Sequence, residues 1–270
     1  MVRIREEVPT AFSRIETNPS NRMTPSEARF RSHLLTPRTV IESKTTRSSR
    51  LPIFMFDIGG VIIKWRNNDP IYKYLSERYN RPYAEVERVC VCRLSSLESG
   101  EVSITAFMND TLHDLGRSLM RRDSAARLWV LPLERLFKPK LGMINYVRML
   151  RRNGYSVYAL TNVSSPHLEF FRRTGLAAEF DHLFASSELG SVKPNREIFQ
   201  KVFRYLGASP AEVVFVDDRV ENVKAARDCG IRWAFQFKSI SQLKRDIDHV
   251  MRESEPPENA RALKKTGASA

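Results

Sequence analysis

Apolar positions along this chain fall into two rhythms. Short apolar runs at Ile53-Phe54-Met55-Phe56, Tyr155-Ser156-Val157-Tyr158-Ala159-Leu160, Leu183-Phe184-Ala185, Val213-Val214-Phe215-Val216 and Ile231-Arg232-Trp233-Ala234-Phe235 predict β-strands. Between them the spacing turns helical. Leu168, Phe170 and Phe171 follow Ser165-Pro166 and stop near Gly175; Ile198, Phe199, Val202, Phe203 and Leu206 lie between Pro194 and Gly207; Val220, Val223 and Ala226 run to Gly230. Proline in a first turn and glycine past a last turn are the punctuation of helices. Repeated strand–helix units imply an α/β fold, a Rossmann-like three-layer arrangement with a parallel sheet covered on both faces. Such sheets bind ligands beyond the carboxyl ends of their strands, where Asp57, Thr161 and Asp217 fall.

The first strand is separated from the second by a long segment, Trp65 to roughly Pro139, whose pattern is helical throughout. Asp69-Pro70 opens a helix with Ile71, Tyr74 and Leu75; Pro82 opens another with Val86 and Val89; Ser103 a third with Phe107 and Leu112; Arg121 to Leu131 form a fourth. The expected organisation is a core over 51–64 and 140–252 and an inserted α-helical cap over 65–139. An insertion directly after Asp57 can close over the strand ends, exclude water and choose substrates.

Charge changes this picture only at the ends. The formal net charge is +13, and residues 1–50 carry ten Arg and Lys against five Glu, with many Ser, Thr and Pro and neither Trp nor Tyr. That composition buries too little apolar surface to offset its ordering entropy, so 1–50 is expected to be a disordered basic tail, as is 253–270. An organelle-targeting leader is the weaker reading, given the five Glu. No apolar stretch is long enough to span a bilayer, and the first residues lack a secretory apolar core, which predicts a soluble, cytoplasmic protein. Three cysteines are too few for a disulfide framework. A basic chain can contact nucleic acid electrostatically, yet there is no zinc spacing, no aromatic-basic motif and no glycine-rich nucleotide loop. Nucleic acid is therefore a minor alternative.

Asp57 is the chemically informative residue. An ionised carboxylate at the end of a buried strand, just before Gly59-Gly60, costs free energy unless a cation or a reaction uses it. It reads as a nucleophile or a metal ligand. Taken singly, other positions have plainer explanations: Thr161 and Asn162 as turn residues, Lys193 as a solvated loop lysine, Asp217-Asp218 as caps of the next helix. Their joint order is what points to phosphoryl transfer.

Phe56-Asp57-Ile58-Gly59-Gly60-Val61, Leu160-Thr161-Asn162, Val192-Lys193-Pro194 and Val216-Asp217-Asp218-Arg219-Val220-Glu221-Asn222 resemble the four motifs of the haloacid dehalogenase-like (HAD) hydrolase superfamily. The resemblance extends from about Leu51 to Lys238. Cap placement after the first motif resembles the helical-cap subgroup, and within it Asp57-Ile58-Gly59-Gly60-Val61, the segment Glu98-Ser99-Gly100-Glu101-Val102-Ser103 and the Asp217-Asp218 ending resemble the branch holding bacterial α-glucose-1-phosphate phosphatase and the phosphatase domain of soluble epoxide hydrolase.

That resemblance implies a magnesium-dependent phosphatase for a small phosphorylated metabolite, with sugar phosphates favoured. Asp57 would attack phosphorus and form an aspartyl-phosphate. Mg2+ would be held by Asp57, Asp218, Asp217 and the backbone carbonyl of Gly59. Thr161 would bind a phosphoryl oxygen, helped by the backbone amide of Asn162 or Gly60, and Lys193 would neutralise the same oxygens and keep Asp57 ionised. Glu98, from the cap, is placed with the substrate-binding residues. A dehalogenase reading is the alternative, weakened because that chemistry has no use for paired carboxylates in the fourth motif; a weakly active phosphate- or nucleic-acid-binding protein is another. Gly59 departs from the family pattern, which has there an Asp that protonates the leaving group. The consequence is a good leaving group, a substitute such as Glu98, His113 or an Asp217-held water, or little activity.

Overall fold

β1 (Ile53–Phe56) lies at the centre of a five-stranded sheet in the computed structural model, which describes residues 51–65 and 67–254. The other strands are β2 (Val157–Thr161), β3 (His182–Ala185), β4 (Val213–Asp217) and β5 (Trp233–Gln236), in spatial order β3-β2-β1-β4-β5. Every pairing is parallel. Such a sheet must be apolar on both faces, and the alternation within β1 shows how this is met. Phe54 and Phe56 pack with Met143, Val147 and Leu150 on one face; Met55 packs with Phe199, Val202 and Ala226 on the other.

The strands are a residue or two offset from the expected spans. β2 runs through Thr161 rather than stopping at Leu160, and β5 begins at Trp233, because Ile231 is buried against the preceding helix and not in the ladder. These shifts put Thr161 and Asp217 in their strands' last positions, and Asp57 just beyond β1.

The segment between β1 and β2 forms α1 (Asp69–Tyr79), α2 (Tyr83–Glu98), α3 (Ile104–Asp114) and α4 (Ala125–Leu136), followed by the core helix α5 (Leu141–Arg152). Ile71, Leu75, Val86, Val89, Phe107 and Leu112 make a hydrophobic cluster of the insertion's own. The fourth helix departs from the expected span: it starts at Ala125, where the Ser124 side chain accepts from the Arg127 N–H, and continues past Pro132 to Leu136. Its apolar surface serves both layers. Leu128 and Trp129 join the insertion's cluster, while Val130 and Leu133 join that of the sheet.

The two connections to the insertion run side by side. Ile63 and Pro139 form an antiparallel bridge, Lys64 N–H donates to the Lys138 carbonyl at 3.0 Å, and Lys140 N–H donates to the Ile62 carbonyl at 2.8 Å. Beyond β2 come α6 (Ser165–Arg173), the short α7 (Ser186–Leu189), α8 (Arg196–Leu206), α9 (Val220–Asp228) and α10 (Ile240–Ser254). The tail expected over 1–50 lies outside the described residues, as does the second tail from 255 on. Among the described residues no helix is long and apolar enough to cross a membrane.

Candidate active site

Three adjacent strands deliver a hydroxyl and two carboxylates. Because β2, β1 and β4 are neighbours, Thr161, Asp57 and Asp217 emerge side by side, and Asp57 N–H is tied to the Val216 carbonyl at 2.8 Å. Lys193 enters from the loop before α8. Its Nζ donates to Asp57 Oδ1, Asp217 Oδ2 and the Leu160 carbonyl, each at 2.7 Å, which uses all three ammonium protons. Lys193 is only 3% exposed and Asp217 fully buried.

Asn162 holds that loop. Its Oδ1 accepts from Lys193 N–H and its Nδ2 donates to the Lys193 carbonyl, both at 2.8 Å. Its side chain thus positions Lys193. Asp217 is equally committed: Oδ1 accepts from Arg219 N–H at 2.9 Å and from Asn222 Nδ2 at 3.1 Å, and Oδ2 accepts from Asn222 Nδ2 at 3.0 Å as well as from Lys193. Thr161, also buried, makes no hydroxyl hydrogen bond to any described residue and lines the cavity.

The loop after β1 closes tightly. Gly60 has φ +68, its N–H donates to the Trp65 carbonyl at 2.7 Å, and its carbonyl accepts from Lys140 Nζ. The Gly60 amide expected to bind a phosphoryl oxygen is therefore already engaged within the loop, a correction that follows from the left-handed turn. The absence of a side chain at Gly60 admits Asp218, since a Cβ there would lie 2.0 Å from Asp218 Oδ2. Gly59 directs its carbonyl to Val61 N–H at 2.7 Å, which leaves one of two lone pairs for a cation.

Carboxylate oxygens of Asp57, Asp217 and Asp218 lie within 4.8 Å of one another. Three carboxylates against one ammonium leave a buried negative excess that an oxygen-preferring divalent cation offsets, and Mg2+ suits such donors. Asp57, Asp217, Asp218 and the Gly59 carbonyl are the groups that could hold it, with the Asp217 oxygens also accepting from Lys193, Arg219 and Asn222.

Electrostatics follow from this crowding. Burial raises the Asp57 carboxyl to about 7; Lys193 pulls it down while Asp217 and Asp218 push it further up. Lys193 pulls the Asp57 carboxyl toward its ionised form, as the sequence leads one to expect, while burial acts in the opposite sense and is the larger effect. Burial works to lower the Lys193 ammonium, yet Asp217 and Asp57 prevail and its pKa is raised.

A cavity of about 260 Å³ opens above these residues. Its far wall is the insertion: Tyr72 of α1, and Glu87, Leu94 and Glu98 of α2. Glu98 is pushed up to about 7 by burial, against Arg219 and Lys193, with Asp57 adding to the rise. His113 does not belong to the site, for its side chain is 90% exposed beside Asp114. Sequence reasoning passed over His167, Trp129 and Ser186. Ser164 Oγ accepts from Trp129 Nε1 at 3.1 Å and His167 Nε2 meets the Trp129 carbonyl at 3.1 Å, joining α4 to α6; Ser186 Oγ donates to the Glu98 carbonyl at 2.6 Å. None carries a local sequence signal, since each acts on a partner distant along the chain.

Residues 51–230 match the family model of the haloacid dehalogenase-like hydrolases. The chain belongs to that family. Among its relatives is a sesquiterpene phosphatase of Aspergillus oryzae, 28% identical over 181 residues that cover 66% of this chain and 85% of the relative. A D-ribitol-5-phosphate phosphatase of Bacteroides thetaiotaomicron is 24% identical over 209 residues, 73% of this chain and 97% of that one. A crystal structure of a HAD family enzyme from Bacteroides thetaiotaomicron, in complex with magnesium and inorganic phosphate, superposes with a TM-score of 0.57 at 21% identity, covering 72% of this chain and 99% of its own. The four motifs of the HAD-like pattern are thus those that the tertiary fold gathers at one end of the sheet.

Proposed function

We propose that this HAD-like hydrolase is a magnesium-dependent phosphatase that cleaves a small phosphorylated metabolite through an aspartyl-phosphate. The observation that carries this is the convergence of Asp57, Thr161, Lys193 and the Asp217-Asp218 pair, from four separate segments, on one cavity. The phosphatases among its relatives and the magnesium–phosphate complex of a structural neighbour support it.

Each residue has a role that its surroundings allow. Asp57 attacks phosphorus through Oδ2, because Oδ1 is held by Lys193. Thr161 donates its hydroxyl to a phosphoryl oxygen. Lys193 supplies positive charge beside the transferred group, with Asp217 fixing its position and Asn162 its loop. Bound among Asp57, Asp217, Asp218 and the Gly59 carbonyl, Mg2+ would neutralise the two anions that must meet and draw the Asp57 carboxyl down into its ionised form. The cavity wall is mixed: Asn67, Asn68 and Asp69 can hydrogen-bond hydroxyl groups, while Trp65, Leu94 and Phe171 offer apolar contact. Sugar or polyol phosphates remain the favoured class.

A phosphate-release screen with Mg2+ tests this, run over sugar 1-phosphates, sugar 6-phosphates, polyol phosphates, terpenyl phosphates, nucleotides and acyl phosphates. Release from at least one class by wild type and none by Asp57→Asn is expected; equal release by both would sink the nucleophile assignment.

A further inference from the structure

Gly59 leaves the loop after β1 without a proton donor at that position, and the space beside it is tight. A Cβ at this position would sit 3.2 Å from the Trp65 carbonyl, which the Gly60 N–H holds in place. The other carboxylates of the cavity are the candidates for that role. Outside the metal-binding cluster, three carboxylates line it: Asp69, Glu87 and Glu98. Asp69 accepts from Asn67 Nδ2 at 2.8 Å and Glu87 from the Tyr83 hydroxyl at 3.1 Å. The Glu98 carboxylate accepts no hydrogen bond from a described residue, and it lies within electrostatic reach of Lys193 and Asp57.

The backbone around Glu98 is anchored to the catalytic layer. Glu98 is the last residue of α2, and its carbonyl accepts from Ser186 Oγ of α7. Two residues on, Gly100 has φ +74 and approaches Ser187 so closely that a Cβ would lie 2.4 Å from its carbonyl oxygen. That same Ser186 hydroxyl accepts from Val163 N–H at 2.8 Å, two residues after Thr161. The insertion is therefore pinned to the core beside the motif that carries Thr161, at a residue that lines the same cavity as Asp57.

We propose that Glu98 is the general acid and base of this site, replacing from the cap the carboxylate that Gly59 lacks. The assignment rests on the phosphatase reading. In the first step an Asp57 oxygen bonds to phosphorus, the bond from phosphorus to the ester oxygen breaks with its electron pair on that oxygen, and the Glu98 proton passes to it. The products are the alcohol, the aspartyl-phosphate and the Glu98 carboxylate. In the second step a water oxygen bonds to phosphorus while Glu98 takes the water proton and the Asp57–phosphorus bond breaks, which restores both carboxyl groups and releases phosphate. A carboxyl near 7 suits both directions at neutral pH. The charged and titratable groups around it are Arg219, Lys193, Asp57 and Tyr72.

An aryl phosphate separates the two steps, since its leaving group needs no proton. With p-nitrophenyl phosphate and Mg2+, Glu98→Gln is expected to release one equivalent of nitrophenol per enzyme in a burst, then turn over about 10² to 10⁴-fold more slowly than wild type. Acid-quenched Glu98→Gln should carry phosphate on Asp57, and Glu98→Asp should regain part of the turnover. Unchanged turnover in Glu98→Gln would overturn the proposal, as would an equal fall in burst rate and turnover, the mark of a binding role. Asp57→Asn is run alongside. If it too bursts, or if wild type releases no phosphate, the phosphatase reading falls and this proposal with it.

Discussion

Lys193 shows how much one side chain can depend on its partners. Its ammonium sits fully buried between two carboxylates and a carbonyl, an arrangement that is stable only while every member is present. Lys193→Met leaves Asp57 and Asp217 facing each other without a cation, and is expected to lower stability by about 3–5 kcal/mol and abolish phosphate release. Denaturant unfolding with and without Mg2+ checks the first and a phosphate assay the second. Thr161→Val is milder: it removes a hydroxyl that no described residue uses, so stability should hold. A lost hydrogen bond to a charged oxygen, about 1.5–3 kcal/mol, should lower kcat/KM by roughly 10 to 100-fold. A stability loss comparable to that of Lys193→Met would show that the hydroxyl has a structural partner. At this scale the residue types at the site were legible in sequence, because strand ends, glycines and paired acids mark them. The three-way coordination of Lys193 was not, since its acceptors come from β2, β4 and the Asp57 loop.

Between elements, the contact of α4 with α6 carries a proton-linked cost. His167 is buried against Trp129, with ring centroids 5.9 Å apart, and burial drives its pKa from 6.5 down to about 4. In this range the unfolded chain binds a proton that the folded chain refuses, so the stability associated with neutral His167 is complete above about 6.5 and is lost as pH falls toward 4. The shift corresponds to about 3 kcal/mol. Urea unfolding between these pH values should show stability rising with pH in wild type and a shallower slope in His167→Gln; identical slopes would place the acid sensitivity elsewhere. Gly100→Ala tests the other anchor. Its Cβ would collide with the Ser187 carbonyl, and a left-handed alanine adds about 1–2 kcal/mol of strain, so the insertion should sit less firmly and turnover should fall. The helix start at Ser103 could be read from its capping side chain and that at Asp69 from Pro70 in the first turn, whereas Pro194, expected in a first turn, precedes the N-cap Asn195 of α8, and α4 could not be bounded. Its apolar stripe serves two clusters at once, and a stripe that wide gives no clean stopping point.

For the whole molecule, binding of Mg2+ is expected to couple to folding. A cation that enters only the folded site stabilises by RT ln(1 + [Mg2+]/Kd), about 2.7 kcal/mol at a hundred times Kd. In a chain of this size that raises Tm by several degrees, and Asp218→Asn should reduce the increase. A calorimetric scan with Mg2+ and with EDTA decides the matter: an unchanged increase in Asp218→Asn would remove this residue from the metal site. The paired linkers at Ile62–Lys64 and Lys138–Lys140 are the covalent connection between sheet and insertion, and the contacts at Ser186, Gly100 and Trp129 complete it.

Sequence alone determined the parallel α/β core, the helical insertion and the identity of the acidic, hydroxyl and lysine positions. Those properties are local: apolar periodicity sets an element, and a strand's last residue sets what emerges at the sheet's edge. Tertiary structure decided which groups remain available. It spent the Gly60 amide on Trp65 and the Asn162 side chain on the Lys193 loop, turned His113 to solvent, and set Glu98 in the wall of the cavity that Asp57 also lines. Such outcomes depend on which distant backbone groups need a partner once the chain is packed, and no spacing along the sequence encodes that competition.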